Sequence, residues 1–191
     1  MNTIKKKEIF SIPNIMGYFR ILLIPIFIIT YLKSNSYKGY FAAATIIGIS
    51  GLTDLFDGFI ARKYNMITEL GIFIDPLADK LTQGAVIVCL ALKFKLMRIL
   101  IVIFILKEGF MAIMGLIMLK KYNKKLDGAK WFGKVCTALF DSVTFLLILI
   151  PNIPSTIRNI LITTCAIVML CTLVLYAQVF IKMKKQTSDA I

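Results

Sequence analysis

The sequence contains no histidine, and this absence narrows the chemistry that the protein performs. Without an imidazole, general acid–base catalysis by histidine and the usual zinc sites are excluded. Cysteine is also scarce, and no Cys-x-x-Cys pair occurs. The four cysteines are therefore interpreted as small buried apolar residues: Cys89, Cys136, Cys165 and Cys171.

Acidic residues are few, with 10 Asp and Glu against 23 Lys and Arg, which gives a formal net charge of +13. No basic patch interleaved with aromatic residues and no nucleic-acid reading motif is present, so a nucleic-acid partner is not expected. The basic residues concentrate in segments such as Lys5–Lys7, Lys120 and Lys121, which lie inside if the N-terminus is cytoplasmic. The charge therefore predicts a multi-pass protein of the cell (plasma) membrane, with its N-terminus and active site facing the cytoplasm.

Sustained in-and-out alternation is absent too, which argues against membrane strands. Instead, 59% of the residues are hydrophobic, and apolar runs of about 20 residues recur, the length that crosses a bilayer as a helix. The fold class expected is all-α, a polytopic membrane protein with six transmembrane helices. The predicted spans are 14–33, 38–63, 69–92, 97–119, 131–150 and 157–181.

The chain shows no internal repeat and no low-complexity linker, so residues 1–191 are predicted to form a single membrane domain. Residues 1–13 mix lysines with apolar residues and are expected to form a short amphipathic helix at the membrane surface. Residues 14–181 would form the six-helix bundle, and residues 182–191 a cytoplasmic tail.

The stretch "GLTDLFDGFIARKYNMITELGIFIDPLADKL", residues 51–81, places four aspartates between very apolar flanks. An aspartate at the centre of a membrane helix costs about 2.5–3.5 kcal/mol on insertion scales, so four independent ones would cost roughly 10–14 kcal/mol. The aspartates are therefore expected to be neutralised by partners or to lie near the interface.

The spacing of these aspartates predicts that they converge. Asp54 and Asp57 are i,i+3 on one helix face, and Asp75 and Asp79 are i,i+4 on the next helix. The turn around residues 62–68 is short, so the two helices should be antiparallel neighbours with their carboxylates together near the cytoplasmic side. The same faces carry small residues that let a ligand or another backbone approach: Gly58, Ala61 and Gly71.

Converging carboxylates without histidine or thiolate suit a hard cation, Mg²⁺ or Mn²⁺. Two divalent ions would balance about four negative charges and polarise a phosphate oxygen, and Arg62 would bind phosphate. The pattern favours phosphoryl-type chemistry at the membrane–cytosol boundary. An ion-transport site, and structural roles such as helix caps and small-residue packing, remain open from spacing alone.

The stretch fits D-x2-D-G-x2-A-R-x8-G-x3-D-x3-D without a gap, and it resembles the signature of the CDP-alcohol phosphotransferase family. The resemblance implies a six-helix membrane enzyme, commonly a homodimer, that cleaves a CDP-linked lipid. It also implies that the four aspartates surround two divalent ions and that Asp79 is the general base. The CDP-lipid would contact the remaining matched positions and one asparagine of the first span: Gly58, Ala61, Arg62, Gly71 and Asn14.

The stretch "SIPNIMGYFRILLIP", residues 11–25, resembles the start of bacterial phosphatidylglycerophosphate synthases and of the related cardiolipin synthases. The expected reaction transfers the phosphatidyl group of CDP-diacylglycerol to sn-glycerol 3-phosphate and releases CMP. Alternatives are phosphatidylglycerol as the acceptor, which gives cardiolipin, and an inositol-phosphate acceptor. An ion-coupled transporter is the alternative from another class.

Basic residues inside the predicted spans are candidates for binding an anionic acceptor. Lys134 matches the lysine of the family's Gly-Lys element, and Lys107 stands where the family usually has an arginine. Arg20 is a third candidate. Departures from the family pattern include Gly17, where Thr or Ser is frequent, and the stretches "LKEG" at 106–109 and "GKVCTALFD" at 133–141.

Overall fold

The computed structural model describes residues 10–64, 66, 68–122, 128 and 130–188, so most of the predicted interfacial helix over residues 1–13 lies outside the described residues. The described residues are helical throughout, apart from short connections, and include no strand. The predicted all-α, polytopic membrane fold is confirmed. In chain order the helices are α1 (Ile12–Lys33), α2 (Tyr37–Lys63), α3 (Glu69–Lys93), α4 (Lys95–Tyr122), α5 (Trp131–Leu149) and α6 (Ser155–Ser188).

Five of these helices are long and apolar enough to cross a membrane. Helix α3 is not among them, because its first half carries Asp75, Asp79 and Lys80 between apolar residues. The count of six spans therefore stays a prediction. The candidate spans are Ile12–Lys33, Tyr37–Ala61, Lys95–Lys120, Trp131–Leu149 and Ser155–Lys184.

The observed helix ends lie close to those predicted from the sequence. Ser36 accepts a hydrogen bond from the Gly39 amide and caps α2, and α1 begins with Pro13 in its first turn, where the missing amide costs little. The predicted cytoplasmic tail over residues 182–191 stays a prediction, and within it α6 continues to Ser188. Lysine, methionine and glutamine are good helix formers, so the helix does not stop where the apolar run stops.

The chain divides into two compact units. Unit 1 comprises Met1–Leu90 and Thr144–Asn152, and it contains α1, α2 and most of α3. Within it, α1 packs against α2. The buried face of α1 is polar in its first half, with Asn14 and Arg20, and apolar in its second half, with Leu23, Phe27 and Tyr31.

Unit 2 comprises Ala91–Val143 and Ile153–Ile191, and within it α4 packs against α6. Its aromatic and sulfur-rich core is centred on Met118, Tyr176 and Phe180. The Phe132 and Tyr176 rings lie edge to face, with centroids 4.7 Å apart. The prediction that residues 1–191 form a single domain stays a prediction.

Large apolar side chains cover the outer faces of the helices. Leu55, Phe56 and Phe59 are exposed on α2, and Ile72 and Phe73 on α3, beside the helix faces that carry the aspartates. Exposed apolar surface of this extent is typical of a membrane protein, because contact of so many apolar side chains with water is unfavourable. The aspartates are therefore charged groups on helices whose other faces suit lipid.

Candidate active site

Helix α2 supplies two carboxylates from adjacent turns. Asp54 and Asp57 are three residues apart in an unbroken helix, so they lie on the same face. Their environments differ, because the Asp57 side chain is 3% exposed whereas that of Asp54 is 41% exposed. One carboxylate of α2 is therefore buried and the other is accessible.

Helix α3 supplies two further carboxylates, Asp75 and Asp79, whose side chains are 42% and 47% exposed. Thr68 caps this helix, since its hydroxyl accepts a hydrogen bond from the Gly71 amide at 2.9 Å. Pro76 stands between the two aspartates and offers no amide to the helical ladder. Asp75 and Asp79 are thus one turn apart near the start of α3.

The structure brings all four carboxylates to one guanidinium, that of Arg20 on α1. Its Nη1 lies 2.5 Å from Asp54 Oδ1 and 2.7 Å from Asp79 Oδ1. Its Nη2 lies 3.0 Å from Asp57 Oδ2 and 3.2 Å from Asp75 Oδ1. We call this group of four the aspartate cluster: Asp54, Asp57, Asp75 and Asp79.

The aspartate cluster sets four carboxylates against the single guanidinium that contacts all of them. One guanidinium balances one of the four carboxylates, and Arg20 is only 2% exposed. The Asp57 Oδ2 and Arg20 Nε atoms are buried, and neither makes a hydrogen bond of good geometry to a described residue, although Asp57 Oδ2 is ion-paired with Arg20 Nη2 at 3.0 Å. A buried, under-satisfied carboxylate beside three others has the donor chemistry of a hard-cation site.

The donor set fits a divalent cation, although the side chains do not yet form a coordination shell. No group of three acidic or cysteine side chains within the described ranges stands ready to hold a metal ion. The reason is visible in the geometry, because the oxygens that a cation would need face the guanidinium of Arg20.

Asn14 lies next to the aspartate cluster and fixes the start of α3. It is fully buried, and its Oδ1 accepts a hydrogen bond from the Thr68 hydroxyl at 3.0 Å. A Cβ on Gly71 would lie 2.7 Å from Asn14 Oδ1 and 3.0 Å from Thr68 Oγ1. Gly71 therefore makes room for the Asn14 side chain, while the predicted approach of a ligand or another backbone stays a prediction.

Gly17 has a similar role at the contact of α1 with α3. A Cβ at this position would lie 2.7 Å from Ile74 Cγ2, and 3.6 Å from Asp75 Oδ1. Ile74 is buried and branched at Cβ, so it has little freedom to move away. This contact gives a physical reason for glycine where the family often has threonine or serine.

The other predicted CDP-lipid residues lie on α2. Gly58 and Ala61 are half-buried and follow the two aspartates of this helix by one turn. The side chain of Arg62 lies outside the described part of the structure, so its predicted phosphate contact stays a prediction.

Two of the predicted acceptor residues belong to unit 2. Lys107 on α4 is 6% exposed, and its Nζ lies 2.6 Å from Glu108 Oε1. Lys134 is exposed in the first turn of α5. Its position depends on Gly133, because a Cβ there would overlap the Tyr176 hydroxyl.

Sequence reasoning placed Arg20 with the acceptor and missed its contact with all four aspartates. A signal was present, because α1 carries Asn14, Gly17 and Arg20 at intervals of three on one face. Thr68 was also missed as a functional neighbour. Its signal was a threonine three residues before Gly71, the spacing of a helix cap.

Comparisons with known proteins extend the description of the site. Three curated relatives carry the name CDP-diacylglycerol–glycerol-3-phosphate 3-phosphatidyltransferase. The protein from Rickettsia felis is 41% identical over 83 residues, 44% of this chain and 45% of its own length. Those from Rickettsia bellii and Escherichia coli are 42% identical over 83 residues and 44% identical over 71 residues.

These alignments span less than half the length of the curated relatives, 45% for both Rickettsia proteins and 38% for the Escherichia coli protein. The family comparison reaches further, since the model of the CDP-alcohol phosphatidyltransferase family matches residues 10–183. This match includes the aspartate cluster together with Asn14, Arg20 and Gly71. The chain therefore belongs to the CDP-alcohol phosphatidyltransferase family.

Proposed function

We propose that the protein transfers the phosphatidyl group of CDP-diacylglycerol to sn-glycerol 3-phosphate, which gives phosphatidylglycerol phosphate and CMP. The observation that carries the proposal is the meeting of four carboxylates from α2 and α3 in a chain of this family. The names of the relatives support glycerol 3-phosphate as the acceptor. Family membership argues against an ion-coupled transporter, and it does not favour the cardiolipin or inositol-phosphate alternatives.

The aspartate cluster is proposed to hold two divalent cations, Mg²⁺ or Mn²⁺, and the family is in general dependent on divalent cations. When bound, these ions would supply the positive charge that offsets the diphosphate of the CDP-lipid and the departing CMP. The oxygen-only donors and the under-satisfied Asp57 carboxylate support this assignment.

Asp79 is the proposed general base. Its carboxylate is the most exposed of the four at 47%, so an incoming hydroxyl reaches it more readily than the buried Asp57. Asp79 takes the proton of the acceptor hydroxyl as its oxygen forms a bond to the lipid-side phosphorus. The bond from that phosphorus to the bridging oxygen breaks, and CMP leaves with the electron pair.

The donor is proposed to lie along the small residues of α2 and the start of α3. Gly58 and Ala61 leave space for the cytidine, and Arg62 binds a phosphate. Asn14 and Gly71 shape the wall next to the carboxylates, as supported by the short distance that a Cβ on Gly71 would make to Asn14.

The acceptor is proposed to bind Lys134 and Lys107, with Arg20 as a weaker contributor. An acceptor dianion requires more than one cation, since charge-assisted hydrogen bonds to phosphate are strongest when several donors converge. The buried Lys107 supports this role, although its ion pair with Glu108 reduces the charge that it offers.

The setting is proposed to be the plasma membrane, with the N-terminus and the aspartate cluster on the cytoplasmic side and the chain as a homodimer. The positive-inside distribution of lysine and arginine supports the orientation. CDP-diacylglycerol would enter from the bilayer and sn-glycerol 3-phosphate from the cytosol.

The test is an assay of the purified full-length protein in lipid nanodiscs with CDP-diacylglycerol and one acceptor at a time. The acceptors are sn-glycerol 3-phosphate, phosphatidylglycerol and an inositol phosphate, and the lipid products are resolved by mass with CMP release measured in parallel. We expect phosphatidylglycerol phosphate with the first acceptor, and loss of turnover in chelator that Mg²⁺ or Mn²⁺ restores. Cardiolipin as the main product, or full turnover of protein shown to be metal-free, would contradict the proposal.

A further inference from the structure

Arg20 connects two helices through both of its terminal nitrogens. Nη1 contacts Asp54 of α2 and Asp79 of α3, and Nη2 contacts Asp57 of α2 and Asp75 of α3. Each nitrogen thus bridges the same pair of helices at two successive levels. A planar guanidinium has the fork geometry for this, whereas an ammonium is a single point of charge.

Among the ion pairs seen in the described residues, Arg20 is the cation that contacts all four carboxylates. Lys80 follows Asp79 directly in the sequence, and its Nζ hydrogen-bonds Gln83 Oε1 at 3.2 Å. Arg20 is 2% exposed, so its guanidinium is shielded from water, whereas three of the carboxylates that it contacts are more than one third exposed. Without the guanidinium, the four carboxylates of α2 and α3 would repel one another.

The oxygens that Arg20 contacts are the oxygens that a divalent cation would need. Asp54, Asp75 and Asp79 each offer Oδ1 to the guanidinium, and Asp57 offers Oδ2. A cation that coordinates these atoms must displace the guanidinium or turn the carboxylates away from it. Arg20 and a metal ion would therefore compete for the same carboxylate oxygens.

We propose that Arg20 is a built-in counter-cation that holds α2 and α3 together through the aspartate cluster and competes with divalent cations for its oxygens. It is a positioning residue that weakens metal binding while it stabilises the protein without metal. The competition rests on the proposed function in one respect, which is the binding of the metal at the aspartate cluster. The bridging of α2 and α3 does not depend on that function.

The experiment uses full-length protein in nanodiscs and compares Arg20→Gln and Arg20→Lys with wild type. Lys33→Gln is the matched control, because it removes one positive charge from the exposed end of the same helix. Mn²⁺ binding is measured by electron paramagnetic resonance, and thermal unfolding is followed in chelator and over a Mn²⁺ titration. None of these readouts requires turnover.

We expect Arg20→Gln to bind Mn²⁺ about tenfold or more tightly than wild type, since the substitution removes a positive charge that contacts all four carboxylates. In chelator its unfolding temperature should fall, and Mn²⁺ should raise it by more than in wild type. Arg20→Lys should lie between the two, and Lys33→Gln should match wild type.

Two results would overturn the proposal. The first is weaker or unchanged Mn²⁺ binding in Arg20→Gln. The second is unchanged stability in chelator together with a raised KM for the acceptor alone, which would assign Arg20 to acceptor binding. If Arg20→Gln does not fold even with Mn²⁺ present, the Arg20→Lys variant decides by the same measurements.

The failure of this proposal is distinguishable from the failure of the proposed function. Tighter Mn²⁺ binding in Arg20→Gln, in a protein that releases no CMP from CDP-diacylglycerol, would sustain the role of Arg20 and contradict the transferase. Normal transferase activity of the wild-type protein, together with unchanged Mn²⁺ binding in Arg20→Gln, would support the transferase and contradict the proposed role of Arg20.

Discussion

At the scale of single residues, the four carboxylates are chemically alike but differ in environment. Asp57 is buried among its neighbours, whereas Asp54, Asp75 and Asp79 are each more than one third exposed. A buried carboxylate needs cations to stay charged, and an accessible one is able to exchange a proton with a substrate. The burial pattern thus divides the aspartate cluster into one buried carboxylate and three accessible carboxylates.

Replacing the proposed base tests this division. We expect Asp79→Asn to lose about 10²–10⁴-fold in turnover, the usual contribution of a positioned general base, while it still binds CDP-diacylglycerol. The measurement pairs CMP release with equilibrium binding of the CDP-lipid in nanodiscs. Turnover within a few-fold of wild type would show that another group takes the proton.

At the scale of helices, glycine sets how closely α1 and α3 approach. Gly17 faces Ile74, and Gly71 faces Asn14 and Thr68, with no space for a Cβ at either position. Gly84, further along α3, has no heavy atom within 4 Å of the place where a Cβ would be. Gly17 and Gly71, near the aspartate cluster, are therefore needed for packing, whereas Gly84 on α3 is not.

Matched glycine substitutions on α3 measure this difference. We expect Gly71→Ala to destabilise the protein by about 1–3 kcal/mol, because an added methyl group in a tight contact forces neighbours to shift. Gly84→Ala should be neutral or stabilising by up to about 1 kcal/mol, since alanine is the better helix former. Thermal unfolding in nanodiscs compares the two.

A second substitution tests whether Asn14 is the side chain that the new methyl group meets. Asn14→Ser in the Gly71→Ala background shortens the side chain that the new methyl group meets, and we expect it to recover part of the lost stability. Equal unfolding temperatures for Gly71→Ala and Gly84→Ala would show that the contact of α3 with Asn14 is not a tight one.

At the scale of the whole molecule, the net charge of +13 and the exposed apolar faces describe a protein of an anionic membrane. The chain forms two compact units, and the proposed site residues come from both. The aspartate cluster and Arg20 belong to unit 1, and Lys107 and Lys134 belong to unit 2. The carboxylates proposed to act on the donor therefore belong to unit 1, and two of the residues proposed for the acceptor belong to unit 2.

Acceptor kinetics test the contribution of unit 2. We expect Lys134→Ala and Lys107→Ala each to raise the KM for sn-glycerol 3-phosphate far more than that for CDP-diacylglycerol, because each removes a cation from a dianion site. Lys33→Ala is the control at an exposed position of α1. Unchanged acceptor kinetics in both variants would remove these lysines from the acceptor site and favour phosphatidylglycerol as the acceptor.

The sequence by itself determined the helices, the membrane class and the local arrangement of the aspartates. Apolar length sets a span, so the ends of α1 to α5 lie within a few residues of the predicted ones. Helical periodicity places Asp54 with Asp57 and Asp75 with Asp79, and a short turn brings the two pairs together. All of these are properties of neighbouring residues, which the order of residues along the chain specifies directly.

Only the tertiary structure decided what these aspartates contact. Arg20 is 55 residues from Asp75 and 59 from Asp79 in the chain, and Asn14 is 54 from Thr68. Periodicity shows which side chains share a face of one helix, but it does not show which faces of distant helices meet. That choice depends on the packing of α1 against its neighbours, which Gly17 and Gly71 permit by having no side chain at the points of closest approach.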